Sequence, residues 1–286
     1  MITVFWFIVA LVALILLLER GIDKMYAYDS PPHKETPEKY GIPFEEWQIP
    51  ARDGGELYGW FIPVSDEAPT LILTHGWSRN VERMMPYIRK LHARGYNLLV
   101  FDARNHGSST PTSHPPTVGT FTDDILAALE ELERRKGSVS AGIGLVGLSI
   151  GGGGSIAAAG RDERIQAVVT VGALSHPITV MRRQFEKKNL PQAVGTFLFR
   201  FLKIRYGLDF NEIAPVNLIP RAKAKILLIH GENDETIALS QAKELFGARP
   251  ENTELWIVPE MGHSNCHYHP EFWTRVEGFF AENLPV

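Results

Sequence analysis

The stretch that most limits what this chain can fold into is Leu145-Val146-Gly147-Leu148-Ser149-Ile150-Gly151-Gly152. It reads as a short apolar strand that stops at a serine between two glycines. A small-residue run, Gly153 to Ala159, follows and is able to start a helix. A strand that turns at once into a helix forces its central residue into a strained backbone conformation. Side chains two residues before and two after would collide with that turn, so both must be small. The serine oxygen is then held at the strand tip, beside the free N–H groups of a helix N-terminus.

The flanking sequence repeats the same alternation. Phe44 to Ile49 and Leu57 to Ile62 read as paired strands around the turn signal Asp53-Gly54-Gly55. Further strands are expected at Thr70 to Thr74, Asn97 to Phe101, Ile143 to Leu148, Gln166 to Val171, Lys225 to Ile229 and Glu254 to Val258. Helical patterns lie at Val81 to Ala93, at Phe121 to Arg135 with the stripe Ile125, Leu126, Leu129 and Leu132, and at Pro270 to Glu282. Strands alternating with helices predict an α/β fold, a mostly parallel eight-stranded sheet with helices on both faces. Ligand chemistry in such a sheet gathers at the carboxyl ends of the strands. A length of 286 residues suits this plan and buries a sizeable core.

Two stretches break the alternation. Pro177 to Arg221 is too long for a simple loop and holds helical candidates at Thr179 to Lys188 and Ala193 to Tyr206, so a small cap is expected at about 177–221. At the N-terminus, Ile2 to Leu18 carries no charge and Val4 to Leu18 is unbroken apolar sequence. As a helix it spans roughly 25 Å, within the range of membrane-crossing segments. A cleaved signal peptide is the rival reading. It lacks support from a basic residue before the run or a small-x-small site after it. The expected organisation is a membrane anchor at 1–20, a proline- and charge-rich linker at 21–43, and an α/β domain at 44–286. Arg20, Lys24, Lys34 and Lys39 follow the apolar run, which leans the domain towards the cytoplasm. A formal net charge of −4 gives no reason to expect nucleic acid as a partner, and the single cysteine, Cys266, excludes an internal disulfide.

A serine hydroxyl becomes a useful nucleophile only when a base takes its proton, and the base needs a carboxylate to fix its tautomer. The candidate acid is Asp234, in Ile229-His230-Gly231-Glu232-Asn233-Asp234, with Glu232 and Glu235 as its nearest competitors. The candidate base is His263, in Pro259-Glu260-Met261-Gly262-His263, past the last strand. The backbone N–H groups of Ile150, next to the serine, and of Trp77, after His75-Gly76, are candidate donors to an oxyanion.

With these residues in view, the chain resembles the α/β-hydrolase superfamily over roughly Phe44 to Leu284. The matching motifs are His75-Gly76-Trp77, Asp102-x-Arg104-x-His106-Gly107-x-Ser109, Gly147-x-Ser149-x-Gly151-Gly152, His230-Gly231-x-x-Asp234 and Gly262-His263. The order Ser149, Asp234, His263 is the one that superfamily uses. One departure is Asn105, where the family often has glycine. The resemblance implies a serine hydrolase, similar to membrane-anchored esterases and to lysophospholipase-like or serine-aminopeptidase-like members, acting on carboxylic esters through an acyl-enzyme. Lysophospholipase or monoacylglycerol lipase, thioesterase and peptidase chemistry stay open, as does a non-catalytic binding protein of the same fold. The expected partners are a small-molecule ester, an acyl lipid among the candidates, and the membrane through the N-terminal helix. That chemistry calls for no metal and no organic cofactor.

Three further patterns carry rival readings. Gly142-x-Gly144-x-x-Gly147 matches a dinucleotide fingerprint, but its glycines fall within a strand and not after one. His263, Cys266, His267 and His269 have the residue types of a metal site, yet His267 and His269 read as exposed loop residues before Pro270. Between Pro177 and Tyr206 the cap carries Arg182, Arg183, Lys187, Lys188, Arg200, Lys203 and Arg205 against the single acid Glu186. A basic cap interleaved with Phe197, Phe199, Phe201 and Leu202 suits contact with anionic lipid, or equally a solvated basic face over a buried apolar one.

Overall fold

The computed structural model describes residues 2–52, 54–112, 115–137 and 141–284. Its centre is an eight-stranded sheet: β1 (Glu45–Pro50), β2 (Glu56–Ile62), β3 (Thr70–Thr74), β4 (Asn97–Phe101), β5 (Ile143–Leu148), β6 (Ile165–Val171), β7 (Lys225–Gly231) and β8 (Thr253–Val258). The spatial order is β1-β2-β4-β3-β5-β6-β7-β8. β1 pairs antiparallel with β2, and β2 antiparallel with β4; from β4 to β8 every pairing is parallel. Each expected strand is present, displaced by two residues or fewer at its ends. Of the predicted turn between the first two, Gly54 and Gly55 adopt positive φ, and Asp53 lies outside the described residues.

Central strands buried on both faces carry no charge, and β3 and β5 are buried along their whole length, apolar but for Thr70 and Thr74 at the ends of β3. One face packs against α3 (Val118–Lys136), α4 (Ile150–Ala159) and α8 (Leu239–Ala248), through Ile72, Leu145, Leu129, Ile156 and Leu245. The other packs against α2 (Met85–His92) and α9 (Phe272–Asn283), through Leu71, Leu73, Ile88, Phe272 and Phe280. Successive residues of β3 therefore feed opposite cores. α3 starts where it does because Thr117 and Thr120 cap each other, side chain to backbone, in both directions. Losing such a cap costs about 1 kcal/mol. The small-residue composition of α4 leaves all ten of its residues buried between the sheet and α3.

Two short helices, α5 (Pro177–Lys187) and α6 (Gln192–Tyr206), form the cap, and a single turn, α7 (Pro215–Leu218), returns the chain to the sheet. α1 runs from Ile2 to Met25, past the expected boundary at residue 20. Its Val4–Met25 stretch is long and apolar enough to cross a membrane, and Val4 to Ile8, Leu16 and Leu17 are exposed. Its last turns are different. Ile22 is buried against Phe199, Leu202 and Phe210, and Glu19 accepts hydrogen bonds from Arg205 and Tyr206 of α6.

The expected linker is also more than a tether. Residues 27–34 lie as a strap over the loops after β3 and β4. Trp77 Nε1 donates to Ala27 O, Asp29 N to Ser78 Oγ, Ser30 Oγ to Gly107 O, and Asn80 Nδ2 to Pro31 O. Extension of the helix follows from Arg20 to Met25 being compatible with helix geometry, and a patch on the cap gives that extension something to bury.

Ile22 is the docking residue with the most to lose. We expect Ile22→Ala to cost about 2 kcal/mol or more of cap docking. It should appear as faster proteolytic cutting between α5 and α6, while a truncation that retains Glu19 onwards keeps the wild-type cutting rate.

Candidate active site

Ser149 sits between β5 and α4 with φ 55° and ψ −119°, a backbone region costly for any residue with a side chain. Its neighbours make that tolerable by being absent. A Cβ on Gly147 would lie 2.4 Å from Gly151 O, and one on Gly151 would lie 2.4 Å from His75 O. The Ser149 amide stays in the sheet, donating to Val171 O.

Two strands further along, β7 ends in the turn that carries Asp234. Its Oδ1 accepts from the backbone N–H groups of Thr236 and Ile237, at 2.9 and 2.8 Å, which fixes the carboxylate plane. Its Oδ2 accepts from His263 Nδ1 at 2.7 Å, and the other nitrogen, Nε2, lies 2.9 Å from Ser149 Oγ. Because Nδ1 must carry the proton shared with the carboxylate, Nε2 is free to accept from the serine hydroxyl. Burial alone would raise the Asp234 pKa. The hydrogen bond and charge of His263, with the Ile237 amide, outweigh it and hold the carboxyl below its ordinary value. Glu232 and Glu235 are both exposed and take no part: Glu232 accepts from Glu260 N, and Glu235 offers its carbonyl to Lys187.

The loop His75-Gly76-Trp77 passes directly over the serine, since a Cβ on Gly76 would lie 3.3 Å from Ser149 Cβ. Ile150 is the first residue of α4, where amides have no intrahelical acceptor. Neither its N–H nor that of Trp77 is engaged by another group among the described residues. His75 anchors the loop from beneath. It is wholly buried, its Nε2 accepts from Ala103 N at 3.0 Å, and its Nδ1–H donates to Gly76 O at 2.7 Å. Burial pushes its pKa down to about 4, so it serves as a neutral spacer between the two loops.

Asp102, at the end of β4, is the hub of the second loop. Its buried carboxylate accepts from Val81 N, Ser108 N and His33 Nε2, at 2.7, 2.8 and 2.8 Å. A Cβ on Gly107 would overlap that carboxylate at 1.9 Å, so no other residue fits there. Asn105 has φ 67°, the left-handed region that explains both the family's glycine and the tolerance of asparagine. Arg104 pairs with Asp124 of α3 in a buried salt bridge.

Two cavities meet at Ser149. The larger, about 280 Å³, is apolar and runs between the core and the cap, lined by Trp77, Ile150, Leu174, Val180, Met181 and Phe210; Met25 and Tyr26, at the end of α1, close it. The smaller, about 200 Å³, lies on the His263 side, with Arg79, Arg83 and Tyr87 in its wall. His267 is buried against Tyr87 and Phe272, not exposed as its place in the sequence suggested, and His269 packs on Trp256. Among the described residues no group of three His, Cys, Asp or Glu side chains is placed to hold a metal ion.

Sequence reading brought forward Ser149, Asp234, His263, Trp77 and Ile150, and the fold gathers all five at one rim of the sheet. It missed His33, Tyr26, Arg79, Arg83 and Tyr87. None stands in a spaced motif, and the proximity of Pro32 and Lys34 to His33 reads only as linker composition.

A family model described as alpha/beta hydrolase fold matches residues 69–212. The chain is 29% identical over 226 residues to the uncharacterized protein YfhR of Escherichia coli K12, covering 77% of this chain and 73% of the relative. It is 25% identical over 224 residues to the uncharacterized protein YqkD of Bacillus subtilis, covering 76% and 72%. Among solved structures, the Pyrococcus furiosus esterase Pf2001 superposes with a TM-score of 0.73 at 24% identity, covering 90% of this chain and 98% of that one.

The hydrogen bond to Asp102 raises the pKa of His33 above its ordinary 6.5, against the opposing effect of burial. A raised value in the folded state means that this tie contributes fully below about pH 6.5 and is lost as pH climbs through the raised pKa. The stability gap between wild type and His33→Asn, measured by urea unfolding, is therefore expected to be widest in mild acid and to close towards alkaline pH. A gap independent of pH would remove the charge-assisted tie.

Proposed function

The chain belongs to the α/β-hydrolase fold family, and we propose that it is a serine hydrolase that cleaves carboxylic esters through an acyl-enzyme. The observation that carries this reading is the unbroken hydrogen-bonded series Ser149 Oγ, His263 Nε2, His263 Nδ1, Asp234 Oδ2. The name of the structurally similar Pf2001 esterase is consistent with it.

In this reading Ser149 Oγ attacks the ester carbonyl carbon while His263 Nε2 takes its proton. The carbonyl oxygen becomes an anion held by the N–H groups of Trp77 and Ile150. Collapse breaks the bond from carbonyl carbon to leaving oxygen, and His263 returns the proton to that oxygen. Water, deprotonated by His263, then attacks the acyl-enzyme; the acid departs and Ser149 regains its hydrogen. Asp234 keeps its negative charge throughout and stabilises the imidazolium that forms twice per turnover.

The exposed apolar surface of α1 supports its role as a membrane anchor, and the cations that follow it favour a cytoplasmic catalytic domain. Of the seven cap cations, Arg205 and Lys203 are occupied by Glu19 and Asp209, and Lys187 by Glu235 O. The remainder are the ones left for contact with an anionic surface.

Ser149→Ala is expected to abolish labelling by a fluorophosphonate probe and turnover of p-nitrophenyl esters. Asp234→Asn should lower kcat by about 10⁴-fold, because the wrong histidine tautomer is then favoured. Labelling that persists in Ser149→Ala would transfer the nucleophile elsewhere.

A further inference from the structure

The two cavities at Ser149 differ in chemistry, and the mechanism just given decides which part of the ester each receives; the inference therefore rests on that reading. His263 hands its proton to the leaving group, so the leaving group must lie on the His263 side. That side is the smaller cavity, lined by His263 together with Arg79, Arg83 and Tyr87. The larger cavity touches Ser149 and Ile150 but not His263, and its apolar walls suit an acyl chain.

The smaller cavity is cationic. Among the described residues no carboxylate lies within 4.0 Å of Arg79 or Arg83. Arg83 gives one N–H to Ser264 O at 2.9 Å, which ties its guanidinium to the residue after His263 in the same cavity wall, and among the described residues no other hydrogen bond engages it. Arg79 is exposed. Tyr87 is fully buried behind the same wall, and among the described residues its hydroxyl has no hydrogen-bond partner. Two guanidinium groups in one wall present the donors that a phosphate accepts, and planar guanidinium forks match it in two-point fashion.

We infer that the substrate is an ester or thioester whose acyl part is an alkyl chain, and whose leaving group carries a phosphate bound by Arg79 and Arg83. The chain lies in the apolar cavity under the cap, partly against Met25 and Tyr26, so the end of α1 helps to form the acyl site. The phosphate stays on the leaving group, and the bond that breaks is the one between the acyl carbon and its oxygen or sulfur. Such a leaving group has two sources, a phospholipid remnant in the bilayer or a soluble phosphate-bearing thiol.

The test uses the full-length protein in detergent micelles and two pairs of substrates sharing one decanoyl group. One pair is decanoyl lysophosphatidic acid against monodecanoylglycerol; the other is decanoyl-coenzyme A against the decanoyl thioester of N-acetylcysteamine. In at least one pair kcat/KM is expected to favour the phosphate-bearing member by about tenfold or more. The preference should shrink as salt is added and fall to near unity in Arg79→Gln/Arg83→Gln. The pair that shows it identifies the source. Should the double variant fold poorly, Arg79→Glu, a change at an exposed side chain, should lower the same ratio by about tenfold. Ratios near one in both pairs, or a preference untouched by these variants, would overturn the inference while Ser149-dependent probe labelling left the esterase reading standing. No turnover of any of the four, with no such labelling, would fail both.

Discussion

A serine held in a left-handed turn at the tip of the central strand is the constraint from which the rest of the site follows. That conformation costs on the order of 1–3 kcal/mol, and it persists only because Gly147 and Gly151 leave room for backbone where side chains would stand. β5 lies between β3 and β6, so everything that must reach Ser149 comes from the loops of its neighbours. β3 supplies the Gly76-Trp77 loop, and β7 and β8 supply the carboxylate and the imidazole. A parallel sheet makes this possible, because parallel strands all end on the same rim.

Around that rim, buried polar groups act as spacers and not as reagents. His75 is neutral and satisfied on both nitrogens, and it fixes the separation of the loops after β3 and β4. Asp102 collects three donors and binds the second loop to the strap through His33. The segment after α1 thereby touches the loop that covers the serine, through Trp77 and Ser78. α1, the strap and the loop over Ser149 thus form one connected structure.

The cap follows a similar economy. Its aromatic residues bury the last turns of α1, and part of its positive charge is spent on Glu19 and Asp209. Exposed pairs of this kind contribute little stability, typically below about 1 kcal/mol. Their value lies in direction: they orient α1 against α6, and apolar burial of Ile22 supplies the adhesion. The same contact brings Met25 and Tyr26 to the apolar cavity beside Ser149.

The strand–turn–helix at Ser149, the parallel sheet and the apolar N-terminal run were legible in the sequence, because each is a local pattern whose geometry is set within about ten residues. The candidate acid and base were legible as well, since position after a strand implies position at the rim. Asp234 was the acid chosen there over Glu232 and Glu235, and the fold supplies the physical reason: the turn after β7 buries its side chain against two backbone N–H groups and His263. Not legible were the continuation of α1 to Met25, the burial of His267, the strap through His33, and the meeting of Arg79, Arg83 and Tyr87 with His263 in one cavity wall. These contacts join residues distant along the chain and carry no periodic signature. Sequence determined the elements and their order through short-range sterics and hydrophobic period. Tertiary structure alone decided which polar groups lose water together, and that shared desolvation turns separate side chains into a site.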